Sequence, residues 1–450
     1  MKPKTHVGGQ EHGGALTITL LTTLIIGFAL ASYLSLVSSQ NASTMRSLAW
    51  NSAVPVLEAG VEEALTQLHH RGITNLSSDS WVYAESPFGN GYQKTRYLGS
   101  SYYQTLIVPS NQPVIYAIAY VPVPLTANAV LGSVFATVGF DWTGNQPGYV
   151  SRRARVSTFA NPMFAKALVA KGAIQMNGNN IATDSFDSMN PAYNTSGKYD
   201  KNKSKDHGDV ATTSGIENVF NVGNANIKGN IATGPGGSVT IGPNGSVGDA
   251  AWVNAGQKGI QAGHYDDDMN ADFPDVKAPF TGGYSTPGGG TVYGKSYTYV
   301  LSNGNYKLNT MSGTLYVGGS AVLYVPGDVD LSGITVGTNA CLKFYTGAPS
   351  LKLAGNGVVN GSGKAWNFQL FGLPSTTSIS ISGNGQFTGV IYAPQASLDL
   401  KGGGNNPEDF SGAGVVNTVT MNGHFNFHYD EALSNYSPLL SYVVTSWNEF

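Results

Sequence analysis

Residues 378–394 read SISISGNGQFTGVIYAP. Isoleucine alternates with serine at the start, the period-2 pattern of a strand, and Gly-Asn-Gly at 383–385 then supplies positions that accept φ > 0. A second β-prone run follows at once. The same texture recurs in ANIKGNIATG (225–234), SVTIGPNGSVGD (238–249), LKLAGNGVVNGSG (351–363) and TVTMNGHFNF (418–427). Each Asn-Gly or Gly-Asn marks a sharp corner between strands of about four or five residues. Antiparallel hairpins use such corners as two-residue turns; a parallel β-solenoid uses them to separate the faces of successive coils. Residues 396–427, ASLDLKGGGNNPEDFSGAGVVNTVTMNGHFNF, run apolar, turn, apolar, turn without closing a hairpin. This favours stacked coils over hairpins.

Composition agrees with a β-rich chain. Glycine, 58 of 450 residues, is at about twice its usual share, without the three-residue period of collagen. Charged residues are 11% and aromatic residues another 11%, so the chain is no disordered polyelectrolyte and can build a core. A net charge of −3 with no run of lysine and arginine gives no electrostatic case for nucleic acid. Cys341 is the one cysteine, which excludes a disulfide framework and a Cys-rich metal site, and it reads as a small core residue.

The first seventy residues have a different character. From Ala15 to Met45 no side chain is charged, a run well above the roughly 20 residues that cross a bilayer as helix. It is too long for the core of a secretory signal and merges into more helix. Lys2 and Lys4 place the leader on the cytoplasmic side, so the rest of the chain is expected outside. Beyond Met45 an amphipathic continuation is expected, with Trp50, Val54, Leu57, Val61, Leu65 and Leu68 at helical spacing and Glu58 and Glu62 on another face. Pro55 inside it predicts a kink, and Gly72 an end.

GGALTITLLTTLIIGFALASYL (13–34) and AWNSAVPVLEAGVEEALTQL (49–68) resemble the N-terminus of type IV pilin-like proteins, above all the PilX type of pilus assembly protein. The resemblance implies that a prepilin peptidase cuts after Gly14, that Ala15 is the mature N-terminus, and that the freed helix packs with other pilins or pseudopilins. Thr19 departs from the pattern: most major pilins carry glutamate at this fifth mature position, and a glutamate can neutralise a neighbour's terminal amine. This favours a minor, priming or tip subunit over a shaft subunit. FAKALVAKGAIQMNGNNIATDSFDS (164–188), GQFTGVIYAPQASLDL (385–400) and NGHFNFHYDEAL (422–433) are similar to the β-helical C-terminal domain of many PilX-like proteins.

The expected fold is mainly β: a long transmembrane and amphipathic α-helix with a small β-sheet head, then a glycine- and asparagine-rich right-handed parallel β-helix. The divisions are a leader 1–14, transmembrane helix 15–45, amphipathic helix 46–72, head 81–158, β-helix 161–433 and a C-terminal cap or tail 434–450. The β-helix is expected in two blocks that pack on each other, 161–262 and 288–433, joined by a linker at 263–287. NPMFAKALVAKG (161–172), read as helical, and SPLLSYVVTSWNEF (437–450) are the candidate end caps. In the head, 102–110, 113–123, 130–142 and 149–158 read as strands and 143–148 as a turn, with Pro113, Pro122 and Pro124 at strand ends.

Solenoids also carry polysaccharide lyases and hydrolases, which need carboxylates paired across a site. Acidic residues here are sparse: Asp184 and Asp187 read as one loop, Asp328 and Asp330 share a strand face, Asp399 stands alone, and Asp430 and Glu431 close the last coil. Asp266, Asp267 and Asp268 lack calcium-loop spacing, and 194–209 reads as a charged surface loop. His424 and His428 fall on one side of a strand without a third ligand and read as surface residues. Arg152, Arg153 and Arg155 read as a solvated face. The reading is a non-enzymatic protein without metal or cofactor, anchored in the cytoplasmic membrane, exposed at the cell surface or on a pilus, with surface polysaccharide as a further partner. The alternatives are a carbohydrate-active enzyme on the same scaffold and an uncleaved membrane-tethered adhesin.

Overall fold

The computed structural model describes residues 12–71, 76–110, 112–123, 148–178, 180–354, 357–383, 386–402, 410–436 and 438–450. The leader up to Glu11, Gly72, Pro124, the strand expected over 130–142 and most of the turn at 143–148 lie outside them. The chain divides into two compact units, residues 1–161 with 441–450, and residues 162–440.

The first unit is built on α1 (His12–Arg71), one uninterrupted helix. Its sheet has strands β1 (Val82–Ala84), β2 (Gly91–Leu98), β3 (Ser101–Val108), β4 (Val114–Pro122) and β5 (Tyr149–Pro162), antiparallel in that order. The sixth strand, beside β5, is Leu439–Glu449. The segment expected as a solenoid cap thus belongs to the head sheet: Phe450 N–H donates to Arg153 O at 3.3 Å and the Thr445 hydroxyl to Ser157 O at 3.2 Å. Along β4, Ile115, Ala117, Ala119 and Val121 belong to the core under α1, while Ile118 and Tyr120 pack on the opposite side.

The helix presents a narrower stripe than its large residues suggest. Ala49, Ala53, Leu57, Val61, Ala64 and Leu68 are buried, whereas Trp50 is 48% exposed. The buried face is rotated toward the small residues because these let helix and sheet approach closely. At Gly60 a Cβ would stand 3.0 Å from the Tyr103 ring.

The second unit is the solenoid: every described pairing in its 23-stranded sheet is parallel, and matched inward residues recur from coil to coil. One column runs Leu323, Phe344, Leu370, Ile391, Gly414, Leu168, Val210, Ile231. Another runs Met311, Val329, Leu351, Ile379, Leu398, Val419, Ile174, Phe220. Phe387, Phe410 and Phe427 stack along a third, with centroids 4.3 and 4.2 Å apart.

These columns show how the two blocks meet. The last coil, within strand Phe410–Asp430, pairs in register with the first, Leu168–Ala170, Ile174–Met176 and Asn180–Phe186. The blocks form one continuous stack in which the beginning and end of the domain sequence lie together in the middle. Residues 161–172 are therefore no helical end cap; Leu168–Ala170 is an interior strand.

The free ends of the stack are the coils around Tyr265–Asp266 and Tyr299–Lys307. On one face nine successive parallel pairings separate them, about 43 Å at the spacing of adjacent strands. The intervening segment runs this distance along the stack. Met269 N–H donates to Thr233 O near one end, Tyr392 Oη donates to Pro274 O at 2.8 Å midway, and Lys307 N–H donates to Ser285 O at the other. Phe273 is buried on the way. The expected linker is a strap packed on the solenoid.

Candidate functional site: an apolar helix and a clasped joint

The upper half of α1 is apolar on all sides and exposed: Leu16, Leu20, Ile26, Phe28 and Leu34 are each more than half accessible. A bare apolar surface of this extent marks an interaction site for lipid or protein. It is one helix long and apolar enough to cross a membrane. Gly14 and Ala15 lie in its first turns, and nothing stands within 4 Å of a Cβ built at Gly14. The Thr19 hydroxyl donates to Leu16 O at 2.9 Å, and Thr22 and Thr23 bond back to Ile18 O and Thr19 O. Such bonds satisfy hydroxyls within the helix, as hydrocarbon surroundings require. Pro55 lies on an exposed face, and the helix continues through it.

The lower half of α1 is fixed to its sheet by polar contacts that the periodicity did not reveal. Glu63 accepts from Tyr103 Oη at 2.6 Å and from Arg96 Nε at 3.1 Å, and lies 3.2 Å from Lys94 Nζ. Burial pushes its carboxyl up, but the Arg96, Tyr103 and Lys94 contacts outweigh that and hold it at about 2. The three arginines of β5 are no free basic face. Arg152 donates to Glu449 at 3.0 Å and lies over Trp50; Arg153 lies over Phe450; Arg155 Nε donates to Tyr116 Oη at 3.3 Å.

In the solenoid the chemistry-bearing residues gather at the joint. Asp184 stands on strand Asn180–Phe186 rather than in a loop, and its register partner across the joint is His428. His428 is 3% exposed, in contrast to the surface residue expected; His424 is exposed and bonds Asn180. His428 Nδ1 lies 2.5 Å from Asp184 Oδ1, Tyr199 Oη donates to Asp184 Oδ2 at 2.8 Å, and the Tyr199 ring stacks on the imidazole at 3.5 Å. Burial first, and then the Asp184 charge, pushes the Tyr199 hydroxyl well above its ordinary range.

Tyr199 comes from the segment 187–209, which is more than a charged surface loop. Its turns Pro191–Tyr193 and Lys201–Lys203 are capped by Asn190 and Asp200. At Gly197 it meets the loop of Gly363, where a Cβ would come within 2.7 Å of Gly197 O. Glu431 pairs with Lys205 and His207 and accepts from Ser185. A segment of the first block is thus clasped over strands of the second.

An aspartate that orients a histidine is half of an acid–base device, but a substrate must reach the imidazole. Here Tyr199 covers the ring and leaves it buried, and the space lined by Tyr199, Ser411, Thr388 and Asn360, about one water in size, does not include the imidazole. Asp430, completely buried at the end of the same strand, accepts from Ser188 and Ala432 N–H through Oδ1, while Oδ2 has no partner among the described residues. Burial raises its carboxyl to about 6.

The other acidic candidates are dispersed. Asp328 and Asp330 are exposed and make no ion pair among the described residues, Asp399 is half-buried, and Asp266, Asp267 and Asp268 are exposed. Among the described residues no group of three or more His, Cys, Asp or Glu is placed to hold a metal ion. Cys341 is half-buried, not in the core, and its Sγ donates to Ser320 Oγ at 3.3 Å.

Comparison with known proteins adds the following. A family described as a domain of unknown function, DUF7305, matches residues 289–436, the second block through the joint coil. No curated protein matches the chain. Among solved structures, the competence-associated pilin ComZ from Thermus thermophilus is similar at 11% identity and a TM-score of 0.29, over 88% of this chain and 97% of that one.

Proposed function

We propose that this chain is a non-enzymatic, membrane-anchored pilin-like protein of the minor, PilX type that displays a β-solenoid outside the cytoplasmic membrane. A prepilin peptidase cuts after Gly14, and the helix then passes from the lipid into a filament with other pilins or pseudopilins. The observation that carries this is α1 itself. An exposed, uncharged apolar half continues without interruption into a half that packs on an antiparallel sheet. Thr19 supports a minor or priming subunit: its hydroxyl is bonded within its own helix and offers a neighbour's terminal amine no negative charge. The clasped joint supports a display scaffold over an enzyme, since its histidine is enclosed.

Gly14→Ala tests processing cleanly, because the site has room for the methyl group. Expressed with a prepilin peptidase, the parent chain is expected to begin at Ala15 and the variant to keep its leader and fail to reach the surface. A parent chain that keeps Met1 and still reaches the surface supports the tethered adhesin instead.

A further inference from the structure

The end of the solenoid at coil Tyr299–Lys307 carries a side chain that folding alone does not explain. The hairpin Gly290–Val292 and Lys295–Tyr297 turns through Tyr293 and Gly294, both at positive φ, 49° and 77°. This two-residue turn normally takes Asn-Gly, and a tyrosine there carries a cost in backbone strain. Packing does not repay that cost, because Tyr293 is 94% exposed, the most exposed large apolar side chain among the described residues. Strain kept without burial points to use of the exposed group.

Tyr293 is not isolated. Its ring lies edge-on to Tyr316 at 6.5 Å, and Tyr297 lies 5.2 Å from the same ring. Tyr316 sits against glycines, since a Cβ at Gly318 or Gly337 would come within 3.2 Å of it. Thr298 and Thr314 bring hydroxyls beside this group, 3.5 Å apart, with Thr314 two residues before Tyr316 on its strand, while Thr291 and Ser296 pair on the other face of the hairpin. From Val276 to Gly327 there is no acidic residue, and Lys295, over the Tyr297 ring, is the one charge in the hairpin. Outward positions then continue one per coil, Val300, Tyr316, Thr335, at the strand spacing of about 4.8 Å.

From this we infer that Tyr293, Tyr297 and Tyr316 form a binding platform for a neutral polysaccharide. A pyranose ring has C–H faces that stack on tyrosine and a rim of hydroxyls that the Thr298 and Thr314 hydroxyls meet. Its repeat along a glycan is close to one coil of the stack. Rigid tyrosines beside small hydroxyl residues bind at low entropic cost, and with Lys295 as its single charge the platform makes its contacts through rings and hydroxyls, which a neutral ligand supplies. The role of this platform in adhesion rests on the reading that the solenoid is displayed outside the cell.

The test uses the full chain in detergent micelles, with microcrystalline cellulose, insoluble β-1,3-glucan and soluble starch as neutral probes and polygalacturonate as the charged one. At least one neutral glycan is expected to bind, and Tyr293→Gly and Tyr316→Ala each to weaken it at least tenfold. Tyr293→Gly is also expected to raise the melting temperature, which separates a ligand contact from a structural role. Tyr97→Ala, at an exposed tyrosine of the head sheet, leaves binding unchanged. Binding to none of the neutral glycans overturns the inference, as does tighter binding of polygalacturonate. So does concentration-dependent self-association that Tyr293→Gly abolishes, which assigns the platform to a second copy. The N-terminus is read by mass spectrometry on the same preparation: glycan binding by a chain that keeps Met1 leaves the platform standing and removes the pilin reading.

Discussion

The surroundings of Glu63 and Asp430 give these carboxyls opposite pH dependences. Glu63 is held at about 2, below the ordinary value near 4.3, so its contribution to stability is complete above about 4.3 and is lost as pH falls toward 2. Glu63→Gln should destabilise the head by about 1–2 kcal/mol at pH 7 and flatten its acid limb, read from thermal melts between pH 2 and 7. Asp430 is raised to about 6, so the folded state binds its proton more tightly than the unfolded one, and stability falls as pH rises from about 4 through 6. Asp430→Asn should raise the melting temperature at pH 7.5 and change it little at pH 4; equal effects at both would contradict the assignment. Neither behaviour was legible in the sequence. Glu63 stands beside Glu62 in one acidic pair, and only the sheet's Lys94, Arg96 and Tyr103 distinguish them. His428 likewise alternates with His424 like a surface residue; what buries it is Tyr199, more than two hundred positions away in sequence.

The N-terminal helix was fully legible as an element, because a charge-free run followed by an amphipathic one needs no tertiary information. Its packed face was legible only in part. Hydrophobicity pointed rightly to Leu57, Val61 and Leu68, with Leu65 packed partly buried beside them, but Trp50 stays exposed and the sheet also takes Ala49, Ala53, Ala64 and Gly60, since closeness of approach decides the face. Gly60→Leu is therefore expected to cost about 1–3 kcal/mol by overpacking against Tyr103, seen as a lowered melting temperature of the head. The strap is the converse case. Residues 263–287 read as a linker, yet Phe273 is buried and Tyr392 and Gln395 bond Pro274 and Asp275. Phe273→Ala should cost about 3 kcal/mol and make 267–285 readily cleaved by protease, while the parent chain resists there.

At the scale of the whole molecule, Asn-Gly corners made the solenoid legible but said nothing of the order of its blocks. Corners fix where a strand ends; which coil lies on which is decided by matched inward residues, and Val419 meeting Ile174 looks locally like any other rung. The stack places the domain's sequence ends, 168–186 and 414–430, at its centre. Hydrogen exchange should accordingly be slowest in these segments and faster in 239–266 and 299–307, the free ends. The reverse order would rule out the joint. The proposed function involves the whole chain, with a helix that first anchors and then assembles. Mass spectrometry of the membrane-extracted chain, made beside an active prepilin peptidase, tests it most directly. A chain beginning at Ala15, with Gly14→Ala retaining its leader, is the predicted result; a parent chain still beginning at Met1 would contradict it.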